Sequence, residues 1–211
     1  MADSRTITFP GTVDEPNNSY DPSVGSSITA MQFIEGCVPT GTLSGVIAQT
    51  IPDSIASSTV TLTAGTIIQS YIGLRAGQTV TNLSFITAGT AASTPTNQWA
   101  GLAYPVGSAP KVVAVSADGT TTAMAANTVI TMALATPYVV PTTGWYLAFV
   151  CVAGTTGPTA AAAVTLGSAG RGAAAPWLGG PGGTGKTTPP AVASTLTATS
   201  AAGAQILIYA T

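Results

Sequence analysis

Residues 145–153 read WYLAFVCVA, the longest strongly apolar run in the chain. Nine residues suit one β-strand, whereas a membrane-crossing helix needs about twenty. The run is rich in aromatic and β-branched side chains, as strands are. Residues 79–86 (TVTNLSFI) carry a second strand signal. Val80, Leu83, Phe85 and Ile86 are apolar among threonine, asparagine and serine, a two-residue alternation with one slip of the kind a β-bulge produces.

Working outward, runs of the same character occupy residues 67–74, 79–87, 98–104, 111–116, 128–134, 144–152 and 205–209, separated by Gly, Pro, Asn or Ser punctuation. Their spacing, about ten to twenty residues, suits a sandwich or jelly roll. Helical periodicity is absent from the sequence. Residues 160–163 are alanine-rich but too short, and too near Gly157 and Pro158, to nucleate a helix. The expected fold is therefore all-β, an antiparallel, jelly-roll-like β-sandwich. The β-forming run at 205–209 (QILIY) brings the end of the chain back into the sheet.

Two stretches break the pattern. Residues 1–50 hold Asp3, Asp14, Glu15, Asp21 and Glu35, five of the seven acidic residues, together with Pro10, Pro16, Pro22 and Pro39. That composition predicts an extended N-terminal arm lying on a neighbour. Residues 51–211 form the expected sandwich domain. Within it, residues 154–200, rich in Ala, Gly, Thr, Pro and Ser, are read as a long excursion before the last strand.

The chain has five basic and seven acidic residues in 211, and no histidine. An ordinary soluble domain has roughly one charged residue in four. Histidine bases, nucleophile triads and the commonest zinc sites draw on residues this chain scarcely has, so an enzyme is not expected. Net charge is -2, and Arg5, Arg75, Lys111, Arg171 and Lys186 are scattered singly, which disfavours nucleic acid. Positive mean hydropathy comes mostly from alanine. The aromatic girdles and many alternating segments of a membrane barrel are missing. The start, MADSRTITFP, has neither the basic region nor the apolar core of a secretory signal, which predicts synthesis in a cytoplasm. Cys37 and Cys151 lie too far apart in sequence for a metal knuckle or redox pair and are read as reduced structural cysteines, the alternative being a disulfide formed after release from the cell.

Gly180, Gly185, Lys186 and Thr187 satisfy the phosphate-binding pattern G-x-x-x-x-G-K-[ST]. Its mechanism needs a strand before the loop and a helix directly after it, and Pro176, Pro189 and Pro190 argue against both. No Mg-binding strand ends in aspartate either: residues 112–118 (VVAVSAD) come closest, but the Asp118–Gly119 pair reads as a hairpin turn, so the match is read as chance. Beyond Glu35 the only acids are Asp53 and Asp118, too few for a catalytic carboxylate pair. Asp14, Glu15, Asn17, Asn18 and Asp21 match no calcium-loop spacing and are read as a solvated acidic turn, so neither metal nor cofactor is expected. Among Trp99, Tyr104, Trp145, Tyr146 and Trp177, the adjacent Trp145 and Tyr146 should face opposite sides of their sheet. One of the two is then available to a subunit interface or a sugar. Trp177, in a loop of small residues, is the best single candidate for a surface anchor.

Five stretches, AGQTVTNLSFITAGT (76–90), TPTNQWAGLAY (94–104), KVVAV (111–115), TTTAMAAN (120–127) and TPYVVPTTGWY (136–146), together resemble a β-sandwich module of tailed-bacteriophage virion proteins. The likeness is strongest to phages of actinobacteria, in which the module occurs in minor tail or fibre proteins and head-decoration proteins. It covers roughly residues 60–153 and brings no active site with it. The resemblance implies a non-enzymatic structural protein of the virion, assembled in the host bacterial cytoplasm, whose partners are its own copies, a trimer being favoured, and other capsid or tail proteins. A surface of Thr, Ser, Ala and Gly agrees with this, because it carries little desolvation penalty on burial between copies. The alternative expectation is a tail module that binds host-surface glycan.

Overall fold

The computed structural model describes residues 45–52, 56–106, 109–163, 179–181, 183–196 and 205–211. Twelve strands occur among them: β1 (Ala48–Gln49), β2 (Ser58–Thr61), β3 (Ile67–Leu74), β4 (Thr79–Ile86), β5 (Ser93–Val106), β6 (Ala109–Val115), β7 (Val129–Val139), β8 (Gly144–Thr156), β9 (Thr159–Ala163), β10 (Gly179–Pro181), β11 (Gln205–Ile206) and β12 (Ile208–Ala210). No helix is present among the described residues. The strands form a four-stranded sheet, β1-β12-β4-β7, a five-stranded sheet, β10-β3-β8-β5-β6, and a small third sheet, β11-β9-β2. Every strand pair is antiparallel.

The pairing is nested. β5 pairs with β6, β4 with β7, β3 with β8, β2 with β9 and β1 with β12. The chain is thus one long antiparallel hairpin rolled upon itself, the winding of a jelly roll. The first strand, β1, falls within the stretch read from sequence as arm. β11 and β12 are one stretch of chain that changes sheet at Leu207, whose N–H donates to the Ala161 carbonyl. That stretch ties the small sheet to the four-stranded one.

The main core lies between the two larger sheets. Ile72, Leu74, Ala100, Leu102, Tyr146, Ala148, Val150 and Val152 meet Val80, Leu83, Phe85, Leu134, Ile208 and Ala210 there. Burying a side chain the size of Leu83 or Phe85 contributes roughly 1.5–3 kcal/mol. The slip in residues 79–86 has a structural cause. Register with β7 shifts between Val80 and Asn82, so that residues 134–137 of β7 stand opposite Thr81 alone. The bulge turns Val80 and Leu83 into the same core although they are three residues apart.

The run at 145–153 is continuous instead of alternating because the five-stranded sheet is covered on both faces. Trp99, Leu147, Phe149 and Cys151 point away from the main core and join Ile67, Tyr71, Val112 and Leu196 in a second cluster. Residues 183–196, part of the expected excursion, form a strap from one edge of this sheet to the other. It starts where the Ile67 N–H donates to the Gly183 carbonyl and Lys186 N–H to that of Gly65, and it ends along β6, where Val112 N–H donates to Ser194 and Leu196 N–H to Pro110.

The Asp118–Gly119 pair, read from sequence as a hairpin turn, is not one. β6 and β7 belong to different sheets, and residues 116–128 cross between them, seating Met124 in the main core. Gly157 and Gly101 are among the glycines required by close approach. A Cβ at Gly157, the corner between β8 and β9, would collide with the Leu62 carbonyl oxygen. One at Gly101 would collide with the Phe149 ring and lie 2.6 Å from the Ala114 carbonyl oxygen. Gly101→Ala should therefore lower stability by about 1–3 kcal/mol in chemical denaturation, as overpacking does, and Phe149→Leu in the same chain should recover part of that loss. An unchanged Gly101→Ala midpoint would show that the sheet gives way there without cost.

Candidate interaction surface

Trp145 and Tyr146 occupy opposite faces of β8, as their adjacency predicts. Trp145, half-buried, packs against the outer cluster with its ring edge-on to Tyr71, centroids 6.5 Å apart. Tyr146 is fully buried, and its hydroxyl donates to the Thr142 carbonyl at 3.0 Å, pinning the turn between β7 and β8. It is a core residue that supports two others. Tyr104 lies 5.1 Å from it and Tyr138 6.1 Å, centroid to centroid. Three tyrosines from β5, β7 and β8 therefore converge, with Tyr104 36% exposed at their outer margin. Burial, reinforced by contact with Tyr146 and then by the field of Tyr146 and Tyr104, holds the Tyr138 hydroxyl well above the usual phenol range. The Tyr138 hydroxyl therefore stays protonated, and Tyr104 presents the exposed aromatic ring of the group. Trp177 lies outside the described residues.

Charge is nearly absent from the sandwich. Among the described residues the charged side chains are Arg75, Lys111, Asp118 and Lys186. Asp118 is occupied internally: it accepts from Asn97 Nδ2 at 2.7 Å, Gln98 N–H at 2.9 Å and Thr120 N–H at 2.8 Å. Partial burial works to raise its pKa, but the bonds from Gln98, Asn97 and Thr120 together outweigh it and hold the carboxyl below its ordinary value. It anchors the crossover between β6 and β7. No group of three or more His, Cys, Asp or Glu that could hold a metal ion occurs among the described residues. Asp53, Cys37 and the acidic cluster at 14–21 lie outside them.

The residues of the phosphate-loop pattern are used structurally. Gly180 is in β10, Lys186 N–H is bonded to Gly65, and residues 183–196 contain no helix to present an N-terminus. Cys151 is a free, buried thiol. Burial, then the negative charge of Asp118, push its pKa up to about 12 against the opposing effect of Lys186, so it stays protonated and unreactive as a small core residue.

What residue-by-residue reading missed is where β7 lies: the run at 128–134 became a strand extending to Val139, last in its sheet. Ile130, Met132 and Leu134 face the core, while Val129, Thr131, Ala133, Ala135 and Val139 are exposed, Val129 by 39% and Val139 by 60%. The alternation was visible in VITMAL, but not that the strand would form a sheet edge. No protein-family model matches this chain, and no curated protein or solved structure matches it.

Because the pKa of Asp118 is lowered on folding, its contribution to stability is present above its ordinary value of 3.8 and is lost as pH falls through the folded-state value. Asp118→Asn should therefore reduce stability at neutral pH and flatten its decline below about pH 4. Parallel pH profiles of the two proteins would refute the anchoring role.

Proposed function

We propose that this protein is a non-enzymatic structural component of a tailed-phage virion, exposed on the head or the tail. It acts by symmetric self-association of the sandwich and by docking of its N-terminal arm on a neighbouring virion protein. The observation that carries the reading is the near absence of charge on a jelly-roll surface built from Thr, Ser, Ala and Val. Charged rims keep soluble monomers apart, and a surface without them loses little solvation when copies close on one another. The likeness of residues 60–153 to virion β-sandwich modules supports the same reading, as does the segregation of acidic residues into the arm.

A second reading, a glycan-binding tail module, is favoured by one observation. Tyr104, Tyr138 and Tyr146 gather at one place on the sandwich, with Tyr104 exposed. On a glycan array, binding that is lost in Tyr104→Ala or Trp177→Ala would favour it, while a scaffold binds no glycan through these residues.

The arm is tested by deletion. Removing residues 1–44 leaves β1 in place. The truncated chain should fold and keep its oligomeric state yet fail to enter particles when it replaces the full chain in a producing host. Normal incorporation would refute arm-mediated docking.

A further inference from the structure

The strap of residues 183–196 crosses the outer face of the five-stranded sheet and is held at its two ends. At the β3 end the Gly183 carbonyl accepts from Ile67 N–H, and Lys186 N–H donates to the Gly65 carbonyl. At the β6 end Ala193 N–H donates to Val112, Val112 N–H to Ser194 and Leu196 N–H to Pro110. Among the described residues, no backbone hydrogen bond joins residues 187–190 to the sheet, and Pro189 and Pro190 have no N–H to donate. Leu196 is the one residue of the strap that is buried. A segment with so little apolar burial and so few bonds belongs to the low end of local stability.

Its closed position also carries opposing costs. Ala193, whose N–H is bonded to β6, has a φ of +69°, in the left-handed region that disfavours a side chain. On the face the strap covers, Trp99 is wholly buried, yet its Nε1–H has no partner in the protein. The same holds for Oε1 of buried Gln69, which shares that face with Ile67 and Tyr71. Uncovering the face lets water satisfy both groups. At the other end the chain turns on Gly183 and Gly185, whose φ values of +126° and +64° suit glycine. We propose that the strap is a lid, hinged at Gly183 and Gly185 and latched on β6 by Ala193 and Leu196, that opens as a unit while the sandwich stays folded. The open form presents Trp99, Leu147, Phe149 and Cys151, an apolar face that the closed form withholds. This device stands independently of the assembly reading.

Cys151, a free thiol buried in this face, is the probe. The full chain is treated with a maleimide, and labelling of Cys151 is followed by mass spectrometry at denaturant concentrations well below the unfolding transition. Lid opening exposes little surface, so the rate should be nearly independent of denaturant there, whereas labelling through global unfolding rises steeply. Leu196→Ala should raise the rate by at least about tenfold, since it removes the latch's buried side chain. Ala193→Gly should lower it about threefold, because glycine adopts the left-handed conformation without strain and favours the closed lid. Ile208→Val, in the main core, should lower the unfolding midpoint and leave the rate unchanged. Labelling that climbs with denaturant in step with global unfolding, or a rate that either strap variant leaves unchanged, would overturn the lid.

Discussion

The antiparallel pairing of the earliest described strand with the last is the constraint from which the rest of the structure follows. β12 lies between β1 and β4, so the four-stranded sheet has no centre until the end of the chain arrives. Around that closure, each earlier strand finds a later one in strict reverse order, down to the β5–β6 hairpin. Such a topology buys its core with long-range contacts, and it is expected to fold slowly compared with a chain of local hairpins. It also explains why QILIY is the most strongly β-forming short run after residue 200. The returning strand has to pair on two sides while contributing Ile208 and Ala210 to the main core and Leu207 and Tyr209 to a small cluster outside it.

Much of this was legible in the sequence. The seven runs of apolar, β-branched and aromatic residues each became strand, and the slip in TVTNLSFI marked a real bulge. What could not be read were β1, β2, β9 and β10. These are two to five residues long and built of Ala, Gln, Ser, Thr, Gly and Pro with a lone Val, so nothing in their own pattern distinguishes them from loop. Their pairing is imposed by neighbours already in place, as when Thr159–Ala163 takes up its register against Ser58–Thr61 and Gln205–Ile206. The misread Asp118–Gly119 pair has a similar origin. Its local chemistry favours a turn, and only the jelly-roll order makes that turn a bridge between sheets.

The candidate surface was less legible than the fold. That Trp145 and Tyr146 would diverge follows from the pleat of a strand, but which of them would be buried depends on which face of β8 meets the other large sheet. The meeting of Tyr104 with Tyr138 and Tyr146 joins three strands distant in sequence and becomes visible only in three dimensions. Scarcity of charge, by contrast, is a property of composition. The structure adds where it matters: Asp118 is turned to internal work.

Assembly into a virion is the function proposed for this chain, on the strength of the scarcity of charge among its described residues. The most direct measurement is immunogold electron microscopy, with an antibody to this chain, on particles purified from a producing host. Regular label over heads or tails is the expected result, and particles that carry none would contradict the account.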